Sequence, residues 1–209
     1  MILADLGVST DQLLNGSLGV TFAEDGPLDM RLDDRLETTA ESLVNSLSEK
    51  ELSDLIFSAS QERFSRRIAR GICRARRQRR VRRTSELVRI ICSALGVSEQ
   101  SHPGRQHPAT RTFLALRIAV NQELENLKAL LAAAPDRLLP EGRIAIISFH
   151  SGEDRLVKRD FVKRERAGEY EIRTKRPIRC SSEEVRRNPR SRGAKLRVAV
   201  RTTGERSAA

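Results

Sequence analysis

The sequence predicts an α/β protein with a helical segment set into it, and three observations carry that reading. Two short apolar runs, Ile2 to Val8 and Arg143 to Phe149, have the length and apolar content of buried strands. Between them, from Thr38 to Gly96, apolar residues recur at helical spacing. A helix, a turn and a strand then follow in the order of half an α/β unit.

The first run, Ile2-Leu3-Ala4-Asp5-Leu6-Gly7-Val8, is interrupted by Asp5 and Gly7, as expected where a buried strand opens into a loop. Residues 9 to 35 are rich in Gly, Asp and Ser, turn at Asp25-Gly26-Pro27 and hold no period, so a loop is expected. Capping-box spacings at Thr38/Glu41 and Ser48/Glu51 mark helix starts, where a side chain satisfies orphan N–H groups. Leu43 and Leu47, then Leu52, Leu55 and Ile56, then Phe64, Ile68 and Ile72, then Leu87, Ile91 and Leu95 supply apolar faces for four short helices.

After a linker from Ser101 to His107, Pro108 suits a first helical turn. Phe113, Leu116, Val120, Leu124, Leu127 and Leu131 then step by three and four residues, which predicts one amphipathic helix. Leu138-Leu139-Pro140-Glu141-Gly142 breaks the chain before the strand from Arg143. A helix is predicted over Glu153 to Glu165, and strands over Tyr170 to Ile178 and Lys195 to Arg201. The expected organisation is 1–35 as the first part of the α/β domain, 36–100 as a helical insert, 101–203 as the remainder and 204–209 as a solvated tail.

There is no run of 18 apolar residues, and the opening lacks a basic segment followed by a long apolar one. Neither a membrane span nor a signal peptide is therefore predicted, and a cytoplasmic location is expected. Lys and Arg number 39 against 28 Asp and Glu, a net charge of +11 that favours polyanions such as RNA. Of the 39, 33 are arginine. So steep a bias fits either codon composition or phosphate binding. Cys73, Cys92 and Cys180 show no C-x-x-C spacing and read as reduced thiols. His102, His107 and His150 do not combine with them into a ligand pattern, so no metal is expected.

In open α/β sheets ligands bind beyond the carboxyl ends of the strands, which places Asp5 and His150 on one rim. Read blandly, Asp5 caps a loop and His150 is a satisfied buried imidazole. Eleven arginines fall between Arg63 and Arg83, with little aromatic content among them. Arg76, Arg77, Arg79 and Arg80 are the candidate RNA contacts of this cluster, suited to phosphate rather than to base stacking; the alternative is a solvated face. Arg111 and Arg117 either contact RNA as well or pair with Asp29 or Glu123.

Six strings in consistent order add a resemblance. They are Asp5-Leu6-Gly7-Val8-Ser9, Asp25-Gly26-Pro27-Leu28-Asp29-Met30-Arg31, Glu62-Arg63-Phe64, His107-Pro108-Ala109-Thr110-Arg111-Thr112-Phe113-Leu114-Ala115-Leu116-Arg117, Ile147-Ser148-Phe149-His150-Ser151 with Glu153-Asp154-Arg155, and Asn188-Pro189-Arg190. Together they closely resemble the bacterial 16S rRNA cytosine-N4 methyltransferase family, known as RsmH or MraW.

The resemblance implies a class I, Rossmann-like methyltransferase domain interrupted by a helical insert. It implies transfer of a methyl group from S-adenosylmethionine to N4 of a cytidine in the decoding region of small-subunit rRNA. Asp5 and Gln12 match family positions that contact the cofactor, and Asp5 and His150 are the candidate catalytic residues. By the same likeness the chain enters at the fourth strand, without the Gly-Gly-His loop and the acidic ribose contact, so an incomplete domain is expected. The family's Ser-Ser-Pro-Gln is Ser9-Thr10-Asp11-Gln12 here, and its His-Ser-Leu-Glu-Asp is His150-Ser151-Gly152-Glu153-Asp154. The alternative function is an inactive RNA-binding remnant. A DNA N4-cytosine methyltransferase is a distant third, because its Pro-Pro-Tyr/Trp motif is missing from the sequence.

Overall fold

The computed structural model describes residues 1–100 and 106–203; part of the predicted linker, including His102, and the predicted tail lie outside them. In chain order the first elements are β1 (Ile2–Asp5), α1 (Thr10–Leu14), a 3-10 turn (Gly16–Leu18), α2 (Ala40–Ser46), α3 (Glu49–Ser60), α4 (Ser65–Gln78) and α5 (Thr84–Leu95). Next come α6 (Thr110–Val120), α7 (Glu123–Arg137), β2 (Arg143–Ser148) and α8 (Ser151–Arg166). The last are β3 (Tyr170–Ile172), β4 (Ile178–Arg179), α9 (Ser182–Arg187), a second 3-10 turn (Pro189–Gly193) and β5 (Lys195–Arg201). The chain forms two compact units, one of Met1–Gly7 with Glu123–Ala209 and one of Val8–Gln122.

The first unit is a mixed sheet in the order β1-β2-β5-β3, with β4 also paired to β5. β1 and β2 run parallel, Ile2 opposite Ile144 and Asp5 opposite Ile147. β5 is antiparallel to β2 and to β3. Alternation along β2 sends Ile144 and Ile146 to one face, where they join Leu127, Leu131 and Ala134 of α7, Val157 and Phe161 of α8, Tyr170 and Ala199. Each large apolar side chain buried there contributes roughly 1.5–3 kcal/mol. Asp5 shares the opposite face with Leu3, Ala145 and Ile147. The segment predicted as one strand from Tyr170 to Ile178 is two short strands, because Thr174 leaves the ladder: its hydroxyl accepts the Val198 N–H at 2.9 Å.

The second unit is built on α3, which packs against both α4 and α6, and on the α4–α5 pair. Leu52, Ile56, Ile68, Ile72, Leu87, Ile91 and Leu116 are completely buried. α2 is capped by Thr39 with Ser42, one residue later than the Thr38/Glu41 spacing indicates, and Glu41 pairs instead with Arg80. Ser48 and Glu51 form the predicted box.

Residues 9 to 35 are more ordered than their composition suggests. Ser9 and Gln12 cap the short α1 reciprocally. Leu28 and Met30 are buried, Met30 with a left-handed backbone (φ 66°). Gly19 is left-handed as well (φ 61°), and a Cβ there would stand 2.0 Å from the Pro27 carbonyl oxygen.

The helix predicted from Phe113 through Leu131 is broken. α6 stops at Val120 and Gln122 is left-handed (φ 51°) before α7 begins. The apolar steps pass straight through the break, so periodicity alone misses it. The side chain of Asn121 ends α6 instead: its Oδ1 accepts the Leu32 N–H and its Nδ2 donates to the Met30 carbonyl, both at 2.8 Å. Among the described residues no helix is long and apolar enough to cross a membrane.

Candidate functional site

The carboxyl ends of the two parallel strands form a rim in the first unit. β1 ends at Asp5, which is exposed, and the ladder continues one step as the Leu6 N–H donates to the Ile147 carbonyl at 3.0 Å. Gly7 follows with φ 91°, its missing Cβ site 3.6 Å from the Phe149 ring. Asp5 to Gly7 and Ile147 to His150 therefore lie side by side, and the structure brings the two predicted rim segments together.

His150 is the N-cap of α8. Its Nδ1 accepts the N–H groups of Gly152 and Glu153 at 3.2 and 3.4 Å, which requires the proton on Nε2. Nε2 is buried and lies 3.3 Å from Glu153 Oε1. Glu153 Oε2 in turn accepts from the Phe149 and His150 N–H groups at 2.9 and 3.2 Å. Burial pushes the Glu153 carboxyl up, but the imidazole and the two backbone donors outweigh it and hold the group below the usual carboxylate range. The spacing of His150 and Glu153 is that of a capping box, a signal present in the sequence but obscured by histidine in the cap position.

Glu123 brings a third donor atom, and those of Glu123, His150 and Glu153 lie within 4.8 Å of one another. Such a set has the chemistry to hold a cation. Here Glu153 is engaged by backbone N–H groups and His150 by the cap, so these two serve the helix start. Beside them Asp154 accepts from Arg197 at 2.7 Å and faces Lys195 at 3.7 Å. Burial raises its carboxyl, and the two cations overcome this and lower it.

The remaining candidates lie in the second unit. Gln12 spends its carbonyl on the Ser9 N–H at 2.9 Å. Arg76 donates to the Val44 carbonyl at 2.7 Å, Arg80 pairs with Glu41 at 2.6 Å and Arg79 faces Glu86 at 3.5 Å. Arg77 is exposed and enters no ion pair among the described residues. Arg111 is exposed at the start of α6, on the edge of a cavity of about 450 Å³ that Phe64 and Arg67 also line. Arg117 is half-buried in the same helix. Asp29, one predicted partner of these two, is clamped by both sides of the Arg31 guanidinium at 2.8 and 2.9 Å.

A mixed sheet with helices packed on it, its parallel strands ending in a polar rim, is the architecture of a Rossmann-like methyltransferase domain. Residues 1–202 match the sequence profile of the MraW methylase family, and the chain belongs to that family. It is 52% identical over 200 residues to a Koribacter versatilis protein named ribosomal RNA small subunit methyltransferase H, covering 96% of this chain and 63% of that one. Proteins of the same name from Syntrophobacter fumaroxidans and Synechococcus elongatus are 46% and 49% identical, over 94% and 98% of this chain and 66% of theirs. The chain thus spans slightly less than two thirds of the length of these relatives.

Proposed function

We propose that the chain takes part in methylation of small-subunit ribosomal RNA, with S-adenosylmethionine as donor and N4 of a cytidine in the decoding region as acceptor, in the cytoplasm. The observation that carries the reading is the rim: in a chain of this family, Asp5 stands exposed at the carboxyl end of a parallel strand, directly beside the segment ending in His150. Its carboxylate suits the positive charge of a sulfonium donor, and Gln12 is the second residue assigned to hold that donor. S-adenosylmethionine, when bound, supplies an electrophilic methyl group.

Everything else at the rim is positioning. The amine of cytosine is a weak nucleophile because its lone pair is delocalised into the ring, so it has to be aligned and its developing charge accepted. Asp5 takes that role by accepting a hydrogen bond from the amine. His150, with Nδ1 committed to the cap of α8 and its buried Nε2 3.3 Å from Glu153 Oε1, holds the start of α8 at the end of β2 and is assigned a positioning role. The target base is unstacked from the RNA to reach the rim.

The test is equilibrium binding of labelled S-adenosylmethionine to the purified chain, followed by transfer of label to 16S rRNA in undermethylated small subunits. Bound donor and labelled RNA are expected. RNA binding without donor binding would favour an inactive RNA-binding remnant.

A further inference from the structure

We infer that the helical unit carries a track for one strand of single-stranded RNA, running from a stacking platform at Phe64 into an arginine-edged groove between α4 and α5. The inference rests on the RNA reading above and deepens it by naming where the strand lies.

Phe64 directly precedes α4 and is 55% exposed, unusual for an aromatic side chain. It lines the 450 Å³ cavity together with Val97 and Pro108, and Arg63, Arg67 and Arg111 surround this apolar floor. Arg67 also lines a second cavity, of about 610 Å³, with Arg74 and Arg89. The two cavities thereby share Arg67 in their linings. The floor of the second is set by Gly71, where a Cβ would stand 2.7 Å from the Cβ of Ala94. The two helices approach closely there, and Arg67 and Arg74 of α4 and Arg89 of α5 line the cavity above them. Arg67 and Arg74 are seven residues apart, two helical turns and about 10 Å along one face.

Charge decides which arginines are available. Arg63, Arg67, Arg74 and Arg111 enter no ion pair among the described residues. Arg80 and Arg83, further along the same cluster, pair with Glu41 and Asp25 at 2.6 and 2.5 Å, and Arg76 donates to a backbone carbonyl. Of the arginines that line the groove, Arg70 and Arg89 pair with Glu49 at 3.3 Å and Glu99 at 3.9 Å, so the charge available along the track is that of Arg63, Arg67, Arg74 and Arg111. An exposed aromatic ring ringed by unpaired guanidinium groups and continuous with a cationic groove suits a polyanion that also carries flat apolar faces. Single-stranded RNA has both: any base can stack on the ring, and phosphates lie against the arginines.

The experiment is fluorescence anisotropy of a labelled single-stranded oligoribonucleotide with the full chain over a range of salt. Phe64→Leu is expected to weaken binding about tenfold with little change in salt dependence, and Phe64→Trp to retain it. Replacing Arg67 and Arg74 together by Gln is expected to lower the slope of log affinity against log salt by about 1.4, the share of two phosphates. The Arg35→Gln, Lys50→Gln pair, on residues outside the track, is expected to leave that slope unchanged. Thermal melting of each variant separates lost binding from lost folding, and all are exposed positions.

If the parent chain binds RNA and the Phe64 and Arg67/Arg74 variants bind as it does, the track is overturned and the RNA reading survives. Failure of the parent chain to bind RNA at all overturns both. Binding of poly-glutamate as tight as that of RNA, and indifferent to Phe64, assigns the groove to acidic protein and overturns the track alone.

Discussion

His150 and Glu153 cap the same helix from both directions: the imidazole Nδ1 receives the Gly152 and Glu153 N–H groups, and the Glu153 carboxylate receives those of Phe149 and His150. Four backbone donors are satisfied by two side chains at the point where β2 hands over to α8. Glu153→Ala is expected to destabilise the chain by about 1–3 kcal/mol in urea denaturation, because buried N–H groups lose a charged acceptor. His150→Asn, which can still cap, is expected to cost less than His150→Ala.

The same pair sets an acid limit. The Glu153 carboxyl is held below its ordinary range in the folded chain, so the unfolded chain binds the proton first. The resulting stability is complete above the unfolded value, about 4.3, and is lost as pH falls through the folded one. Melting temperatures of the parent chain and of Glu153→Gln are expected to converge as the pH is lowered through that window.

Asp5 is exposed, so Asp5→Asn is expected to leave the melting temperature nearly unchanged while weakening S-adenosylmethionine binding by about tenfold or more in equilibrium dialysis. Unchanged donor affinity would remove Asp5 from the proposed site. RNA affinity is expected to be unaffected.

Tyr170 is the chain's single tyrosine, and the chain has no tryptophan. Its ring is buried edge-on to Phe161 at 5.9 Å, and its hydroxyl is buried without a hydrogen-bond partner. Burial pushes its pKa up to about 12, the Arg164 cation offsetting only part of the effect. Ultraviolet difference titration therefore reports one group, expected to ionise near 12 when folded and near 10 in urea. The sign follows from linkage: stability is intact below pH 10 and falls by about 1.4 kcal/mol per pH unit between the two values. Tyr170→Phe is expected to abolish that alkaline loss and to be neutral or slightly stabilising at pH 7.

Leu3 is 60% exposed on β1, which has a strand on one side only among the described residues. An apolar strand edge recruits other strands. Leu3→Lys is expected to reduce concentration-dependent association in sedimentation or light scattering without lowering the melting temperature.

Local pattern made much of this fold legible. The strands around Leu3 and Ile146 and the helices that bury Leu52, Ile72 and Ile91 follow from apolar spacing alone. The break at Asn121 and the order of the 9–35 segment did not, because both depend on hydrogen bonds to residues some 90 positions away. The rim was readable because parallel strands place their carboxyl ends together whatever the loops do. The arginine cluster was readable as charge but not as geometry: which guanidinium groups remain unpaired is decided by Glu41, Asp25 and Val44, all distant in sequence.

Met30 sits at the centre of that long-range order, wholly buried, its N–H donating to the Leu18 carbonyl and its own carbonyl accepting from Asn121 Nδ2. The chain has one other methionine, Met1, which is 83% exposed. Peroxide therefore meets two thioethers of opposite accessibility in one molecule: one is converted to sulfoxide at once, while the other reacts only when the unit around it opens. The lag between the two, read by mass spectrometry, is a built-in clock for the breathing of the helical unit.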